Sequence, residues 1–333
     1  MTMPAIKPNI SGYQGPDSLW LGKPYYSLDA YCKNTFGHKC YKIALDAGLT
    51  CPNRDGTLGH RGCIFCSAGG SGDFAVSGPD IASQIQAGRQ KFGDKNIGED
   101  HIAYFQAYTN TYGPIEYLKK IFSEALDAPD ICGISIATRP DCLGNDVLTL
   151  LKELKVSHPD KFIWIELGLQ TIHESTARYI RRGYELSCFE EAVRSLSSIE
   201  IPVIVHVILG LPGETPEHIY QTIEYLNNKD IFGIKLQLLH VLEGTDLAVD
   251  HANNLFRTYE KEEYLDILIH CLEILSPHIV VHRVTGDGPK DILIAPRWST
   301  NKRDVLNTLH KKMKEMNTYQ GRLWNASRPI DTI

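Results

Sequence analysis

Three cysteines lie within sixteen residues of the sequence, in the segment CPNRDGTLGHRGCIFC at 51–66. Cys63 and Cys66 form a C-x-x-C pair, and Cys51 stands twelve positions before Cys63, across a loop rich in Gly, Asn, Asp and Pro. Three thiolates can hold three corners of a four-iron, four-sulfur cluster, whose complete protein ligation takes four cysteines. The fourth iron is then open to a substrate or a cofactor, and an open coordination position is typical of catalytic metal sites.

A histidine in the same loop supports a different interpretation. Cys51, His60, Cys63 and Cys66 could together form a zinc site of the Cys3His type. The three thiols could also be unligated, and the loop by itself leaves these alternatives open. Cys142 lies just past a predicted strand and remains a candidate for function. The other five cysteines are expected to pack as small apolar side chains: Cys32, Cys40, Cys132, Cys188 and Cys271.

The composition indicates a chain that can bury a sizeable core, with 43% hydrophobic residues in 333. No apolar run approaches the roughly 18 residues of a membrane span, and the N-terminal segment lacks the apolar core of a signal peptide. We therefore expect a cytoplasmic protein without membrane contact. An odd number of cysteines, nine, then favours metal binding over disulfides. The formal net charge of −6 excludes a global attraction to nucleic acid.

Short apolar runs alternate with helical patterns from about residue 38 onward. Their length of about eight residues, their β-branched and aromatic content and their Gly and Pro borders favour buried strands. Alternation of this kind predicts βα repeats around a parallel sheet, and six repeats leave an open, partial barrel. The cysteine loop directly follows the first run, at the edge where βα proteins place their chemistry. The runs are 40–48, 101–108, 131–138, 162–170, 202–210 and 233–241.

Helices are predicted between these runs at 114–126, 145–155 and 215–228. Asn145 and Thr215 are expected to cap the second and third of these helices. After residue 241 the pattern changes to a helix near 258–275, an apolar HIVVHRV segment, a Gly-rich turn and a basic helix near 300–316. The predicted organisation is an irregular lead-in at 1–37, a barrel at 38–245 and a C-terminal extension at 246–333.

Four motifs together resemble the radical S-adenosylmethionine (SAM) superfamily, and within it bacterial proteins related to the catalytic subunit of elongator. They are the cysteine loop, ATRPDCL (137–143), ELGLQT (166–171) and RVTGDGP (283–289). The spacing C-x11-C-x2-C differs from the commonest spacing in the superfamily, C-x3-C-x2-C. The resemblance covers roughly residues 25–310.

This resemblance implies a fold, two cofactors and a reaction. The fold is a partial (β/α)6 TIM-like barrel with a small C-terminal α/β extension. A [4Fe-4S] cluster on Cys51, Cys63 and Cys66 would cleave S-adenosylmethionine reductively to a 5′-deoxyadenosyl radical. An external electron donor is implied as well.

The resemblance also suggests residues that contact S-adenosylmethionine. Gln170 ends the fourth predicted strand, and related enzymes place a Gln there and an Arg twelve residues later, which corresponds to Arg182. His206 matches a position where relatives contact the ribose. On the second strand, where many members carry Gly-Gly-Glu, this chain has FQAYTNTY, so Gln106 and Asn110 are the candidates. The alternatives are a solvated helix end for Arg182 and a hydrogen-bonded core histidine for His206.

Two residues just past the third predicted strand have an open role. Arg139 and Asp141 could form an ion pair that holds their loop, or they could contact the substrate. The sequence does not decide between these interpretations.

The relation to elongator suggests transfer RNA as the substrate, with side-chain chemistry on the wobble uridine. The segment 297–328 carries eight Lys and Arg residues against Asp304 and Glu315, a local charge of +6 that could bind phosphates. In its predicted helix, Lys311, Lys312 and Lys314 are the candidates for RNA contact. Val305, Leu306, Leu309 and Met313 form an apolar face for docking.

Other classes of function remain open from the sequence. The chain could be a radical SAM enzyme that acts on a protein or a small molecule. It could instead be an iron–sulfur protein that regulates a metabolic enzyme as its partner.

Overall fold

Parallel strands form the main sheet of the structure, a computed structural model that describes residues 18–91, 100–286 and 288–325. In these residues seven strands pair in the order β1-β2-β3-β4-β5-β6-β8 and curl into a half-barrel. They are β1 (Tyr41–Leu45), β2 (His101–Phe105), β3 (Ile131–Thr138), β4 (Phe162–Gln170), β5 (Val203–Leu209), β6 (Gly233–Leu238) and β8 (Val280–Arg283). A small antiparallel sheet pairs β7 (Val241–Leu242) with β9 (Leu293–Ala295).

Helices cover the outer face of this sheet and bury its apolar side chains. They are α1 (Leu28–Phe36), α2 (Ile81–Gln90), α3 (Ile115–Asp127), α4 (Asn145–Ser157), α5 (Glu174–Tyr179), α6 (Leu186–Ser198), α7 (Pro216–Asn227), α8 (Asp246–Ala252), α9 (Lys261–Ile274) and α10 (Lys302–Glu315). In the residues that the structure describes, no helix is long and apolar enough to cross a membrane.

The six predicted strands are confirmed, and each lies inside its predicted run. The prediction of a separate extension from residue 246 needs qualification, because β8 comes from that segment and pairs in parallel with β6 of the barrel. The lead-in is not irregular throughout, since its described part contains α1; residues 1–17 lie outside the described residues. Thr215 caps α7 as predicted. The predicted cap of α4 is wrong by one residue, because Gly144 occupies that position.

An aromatic cluster closes the amino-terminal end of the barrel. Trp164 of β4 stacks on Phe162 with ring centroids 4.0 Å apart, and its edge meets Tyr31 of α1 at 5.9 Å. Phe232 packs against Tyr31 at 4.9 Å. We call Tyr31, Phe162, Trp164 and Phe232 the aromatic plug. Because alternate residues of a strand share a face, Glu166 and Gly168 point into the same interior above Trp164.

Three of the cysteines that are dispersed in the sequence meet beside the plug. The thiol of Cys40 is hydrogen-bonded to those of Cys32 and Cys132. Cys132 in turn donates to the carbonyl oxygen of His101 at 3.2 Å. The hydrogen bond with Cys132, together with burial, raises the pKa of the Cys40 thiol, which therefore packs as a weakly polar, protonated side chain.

We expect Trp164→Ala to lower the free energy of unfolding by about 3–5 kcal/mol, because it empties the centre of the aromatic plug. The matched control is Val156→Ala, at a side chain that is 75% exposed, which should change stability by less than about 0.5 kcal/mol. Chemical denaturation under anaerobic conditions measures both. Similar midpoints for the two variants would show that the plug does not support the barrel.

Candidate active site

The cysteine loop leaves β1 and turns back across the carboxyl ends of the strands. The backbone N–H of Arg54 donates to the carbonyl of Cys51 at 2.8 Å, and that of Cys66 donates to the carbonyl of Cys63 at 3.0 Å. The second turn brings the two thiols of the C-x-x-C pair to one side. All three thiols are half-buried and line one cavity. We call this space the thiol cavity.

The zinc interpretation of the loop is wrong. His60 is exposed, lies over Gly56 and does not line the thiol cavity. Within the described ranges, no group of three or more His, Cys, Asp or Glu side chains is close enough to hold a single metal ion. The three thiols that line the thiol cavity are the donor set of the iron–sulfur alternative, in which one iron stays open to a cofactor.

Positive and hydrogen-bonding groups surround the thiols. The side-chain amide of Asn53 donates to Cys63 Sγ at 3.5 Å and to the carbonyl of Arg181 at 2.7 Å. Burial raises the pKa of the Cys63 thiol to about 12, and Arg139 opposes that rise. Burial also raises the pKa of Cys66, and Arg54 opposes it. These cations and the Asn53 amide would stabilise the negative charge of thiolates that ligate a cluster.

Gln170 and Gln106 both line the thiol cavity, as a cofactor contact requires. Gln170 ends β4 in a left-handed conformation, with φ of 68°. Its Oε1 atom is buried and has no hydrogen-bond partner among the described residues. A buried acceptor of this kind is costly unless a ligand donates to it. Gln106 reaches across the cavity to the carbonyl of Ser71 at 2.7 Å. The site therefore offers groups that fit S-adenosylmethionine.

Arg182 is buried, so it is not a solvated helix end, and its guanidinium is already bonded to other groups of the protein. Its side chain is 2% exposed and forms an ion pair with Glu174 at 2.9 Å. It also donates to the carbonyls of Thr171 at 2.7 Å and Tyr184 at 2.9 Å. These bonds tie the end of β4 to the segment after α5. Arg182 still lines the thiol cavity, so any contact with the cofactor uses a side chain that the fold already holds rigid.

Asn110, which the sequence predicts as a cofactor contact, is buried between strands and does not face the thiol cavity. It is fully buried, and its amide nitrogen donates to the carbonyls of Phe105 at 3.1 Å and Ala137 at 3.0 Å. It does not line the thiol cavity. Asn110 ties β2 to β3 and is not among the groups to which we assign a cofactor contact.

Arg139 and Asp141 form an ion pair, which is one of the two roles that the sequence left open for them. The guanidinium donates twice to the carboxylate, at 2.9 and 2.7 Å, and once to the carbonyl of Arg182 at 3.0 Å. The aromatic ring of Tyr184 lies 5.0 Å from Arg139 and 4.9 Å from Arg182. Arg139 lines the thiol cavity as well.

The floor of the thiol cavity is a network of charges, of which the sequence analysis named only His206. Glu166 is fully buried on β4 and accepts hydrogen bonds from Lys42 of β1 and Lys235 of β6. It also accepts from Ser135 Oγ at 2.6 Å and from His206 Nε2 at 2.7 Å. We call Lys42, Glu166, His206 and Lys235 the charged layer. The signal in the sequence was Glu166, the single charged residue of the otherwise apolar strand β4.

The protonation states of this layer follow from burial and pairing. Burial alone would raise the pKa of Glu166, but Lys235, Lys42 and His206 hold it well below its usual range. Burial lowers the pKa of Lys235, and the negative charge of Glu166 opposes this decrease. Burial and Lys235 lower the pKa of His206 to about 4, so the imidazole is neutral at pH 7. Neutral His206 donates to Glu166, and its Nδ1 lies 3.4 Å from the Gln237 amide nitrogen.

A wider cleft adjoins the thiol cavity at the open edge of the half-barrel, between β1 and β8. Tyr104, Gln106, Gln237 and Arg283 line both spaces, which are therefore continuous. We call this second space the basic cleft, since Asp73 and Asp291 are its only acidic lining residues in the described part of the chain. Its basic lining residues are Lys42, Lys91, Arg283, Lys290 and Lys302.

Family comparisons agree with this architecture. The model of the radical SAM superfamily matches residues 56–226, and the model of the radical SAM C-terminal domain matches residues 231–315. The chain belongs to the radical SAM superfamily. Its cofactors are therefore a [4Fe-4S] cluster and S-adenosylmethionine, and it is a radical SAM enzyme.

Individual relatives show how far the similarity extends. The chain is 42% identical over 303 residues to the uncharacterized protein YtqA of Bacillus subtilis, which covers 91% of this chain and 93% of YtqA. It is 24% identical over 164 residues to a tRNA uridine(34) acetyltransferase of Methanocaldococcus jannaschii, covering 48% of this chain and 29% of that protein. The solved structure of Methanocaldococcus infernus Elp3 superposes with a TM-score of 0.64 at 17% identity. That match covers 84% of this chain and 64% of Elp3, and it shows a shared fold.

Replacing Cys51, Cys63 or Cys66 with Ala should each abolish the iron–sulfur cluster, because no other thiol lines the thiol cavity in the described residues. The control is Cys188→Ala, at a half-buried cysteine outside the cavity, which should keep the cluster. Iron and sulfide content and the visible absorption of anaerobically prepared protein measure the outcome. A full cluster in Cys51→Ala would contradict the assignment.

Glu166→Gln should lower the free energy of unfolding by about 3–5 kcal/mol, because it leaves the buried Lys235 and the half-buried Lys42 without their carboxylate. Adding Lys235→Met removes one of these cations and should recover part of the stability. The pKa of Glu166 is lowered on folding, so its contribution is present above its usual pKa and disappears as the pH falls through the lower folded value. Denaturation curves at pH 7 and in strong acid test this. Equal stability of wild type and Glu166→Gln at pH 7 would disprove it.

Proposed function

We propose that this radical SAM enzyme modifies the side chain of the wobble uridine in transfer RNA. The observation that carries the proposal is the basic cleft, which opens directly onto the thiol cavity and could admit a nucleotide to the bound cofactors. The similarity to a tRNA uridine(34) acetyltransferase and to the fold of Elp3 supports RNA over a protein substrate.

Residues of the chain have distinct parts in this proposal. Cys51, Cys63 and Cys66 hold the cluster, and Gln106 and Gln170 contact S-adenosylmethionine. When bound, the cluster supplies the electron for reductive cleavage of S-adenosylmethionine, and so provides the carbon radical that takes a hydrogen atom from the substrate. An external electron donor must reduce it.

The proposal assigns RNA contact to the rim of the basic cleft instead of the outer side of α10. Lys312 is neutralised by Glu262 at 3.0 Å and Asp266 at 2.5 Å, and Lys311 pairs with Glu315 at 3.8 Å. The apolar face of α10 is confirmed, because Val305, Leu309 and Met313 are buried and Leu306 packs against the core. Among the basic residues of segment 297–328, Lys302 is one that lines the basic cleft. Arg328 lies outside the described residues.

Replacing Lys91, Lys290 and Lys302 with Ala should weaken transfer RNA binding, because three exposed cations leave the rim of the cleft. The slope of log affinity against log salt should fall by about 0.7–0.9 for each phosphate that the variant no longer neutralises. The matched control replaces Lys120, Lys152 and Lys311, three exposed lysines outside the cleft, and changes the net charge equally. Filter binding across a salt series compares them. Equal slopes for the two triple variants would remove the cleft from the RNA-binding surface.

Deleting the gene should change one modified nucleoside at the wobble position of transfer RNA, while wild-type enzyme supplied in trans restores it. Liquid chromatography with mass spectrometry of digested transfer RNA measures the change. The Cys63→Ala variant should fail to restore the nucleoside. Identical nucleosides in deletion and wild-type strains would overturn the proposed function and leave the radical SAM assignment intact.

A further inference from the structure

The charged layer places two lysines on one carboxylate. Lys42, which is half-buried, and Lys235, which is 3% exposed, share Glu166, and His206 is neutral at pH 7. Replacing buried ionic groups with apolar side chains of similar volume is often neutral or stabilising in proteins. The need to pair Glu166 therefore explains one lysine of this layer but not the second.

Both ammonium groups have hydrogen-bonding capacity left. Lys235 donates to Glu166 and to the hydroxyl of Tyr104 at 3.1 Å, and Lys42 donates to Glu166 and to Ser135 Oγ at 3.4 Å. An ammonium carries three donors, so contacts within the described residues account for two of three on each. The two Nζ atoms lie 4.7 and 4.4 Å from the centre of the Tyr104 ring.

The lysines face the continuous space in which a substrate would lie. Lys235 lines the thiol cavity, Lys42 lines the basic cleft, and Tyr104 lines both. A group that enters through the cleft and reaches toward the thiols therefore passes both ammonium groups.

The aromatic plug limits what can bind there. Trp164, next to Glu166 on the inner face of β4, closes the barrel below the charged layer, so a group that reaches this layer from above cannot pass beyond it. A phosphodiester is flanked by sugars on both sides and cannot enter such a pocket. A terminal anion at the end of a short side chain can.

We propose that the charged layer is a binding subsite for a terminal anionic group, a carboxylate or a phosphate monoester, on the side chain that the enzyme modifies. Lys42 and Lys235 bind the anion, and Tyr104 and Gln237 flank it. The subsite fixes the side chain at one end, so that its carbon atoms lie between the anion and the cofactors. This inference rests on the proposed function, whose substrate class it specifies.

The first test uses the nucleoside that accumulates in transfer RNA of the deletion strain. It should carry an acidic group: a carboxylate takes up one methyl group in acidic methanol, whereas a phosphate monoester is removed by phosphatase. An accumulated nucleoside that responds to neither treatment overturns the subsite.

The second test measures the coupling between Lys235 and the anion. The substrates are a synthetic anticodon stem–loop with the acidic side chain and the same RNA with a neutral derivative of that group, which is the amide of a carboxylate or the dimethyl ester of a phosphate. Wild-type holoenzyme should convert the acid with a kcat/KM at least about tenfold higher, as expected for one charge-assisted hydrogen bond. In Lys235→Met the ratio of kcat/KM for the acidic substrate to kcat/KM for the neutral one should fall toward one. Lys314→Met, at an exposed lysine of α10, should keep the ratio of the wild type. A ratio in Lys235→Met equal to that of wild type overturns the inference.

If no nucleoside changes on deletion, the proposed function fails and a small probe decides the subsite. Malonate should then raise the melting temperature of the wild-type holoenzyme but not that of Lys235→Met, whereas neutral malonamide should have no effect on either. A shift confined to wild type with malonate retains an anion subsite for another substrate. Equal shifts in both proteins, or none in wild type, reject it.

Discussion

A single buried carboxylate joins the interior of this half-barrel. Glu166 of β4 accepts hydrogen bonds from side chains of β1, β3, β5 and β6, so five of the strands meet at one group. An open barrel lacks the closing pair of strands that would fix its curvature, and this network supplies interior contacts between strands that do not neighbour each other in the sheet. It also determines how the site is divided, with the aromatic plug below it and the thiol cavity above it.

The open edge of the half-barrel has a functional consequence. The cysteine loop lies over the carboxyl ends of the strands, and the gap between β1 and β8 leaves the basic cleft at the side. In the proposed function, the substrate reaches the bound cofactors through this side opening. A closed eight-stranded barrel would fill its interior with side chains and would offer its top face only.

Much of the fold could be predicted from sequence because its signals are local, and the apolar runs give the strands. The spacing of Cys51, Cys63 and Cys66 after β1, together with the family resemblance, predicts them as cluster ligands, and the structure places all three on one cavity. The charged layer could not be predicted in the same way. Lys42 and Glu166 are 124 residues apart, and their contact depends on strand order, register and curvature together. Arg182 and Asn110 show the same limit, because a residue type at a strand end does not reveal which backbone carbonyls it binds.

The most direct test of the account is the transfer of deuterium from transfer RNA to 5′-deoxyadenosine. Holoenzyme would be reduced in the presence of unlabelled S-adenosylmethionine and deuterated transfer RNA purified from the deletion strain. Hydrogen abstraction from the wobble uridine predicts 5′-deoxyadenosine that carries deuterium, in amounts that depend on the presence of that RNA. Unlabelled 5′-deoxyadenosine formed at the same rate with and without the RNA would contradict the claim that the cofactors act on transfer RNA.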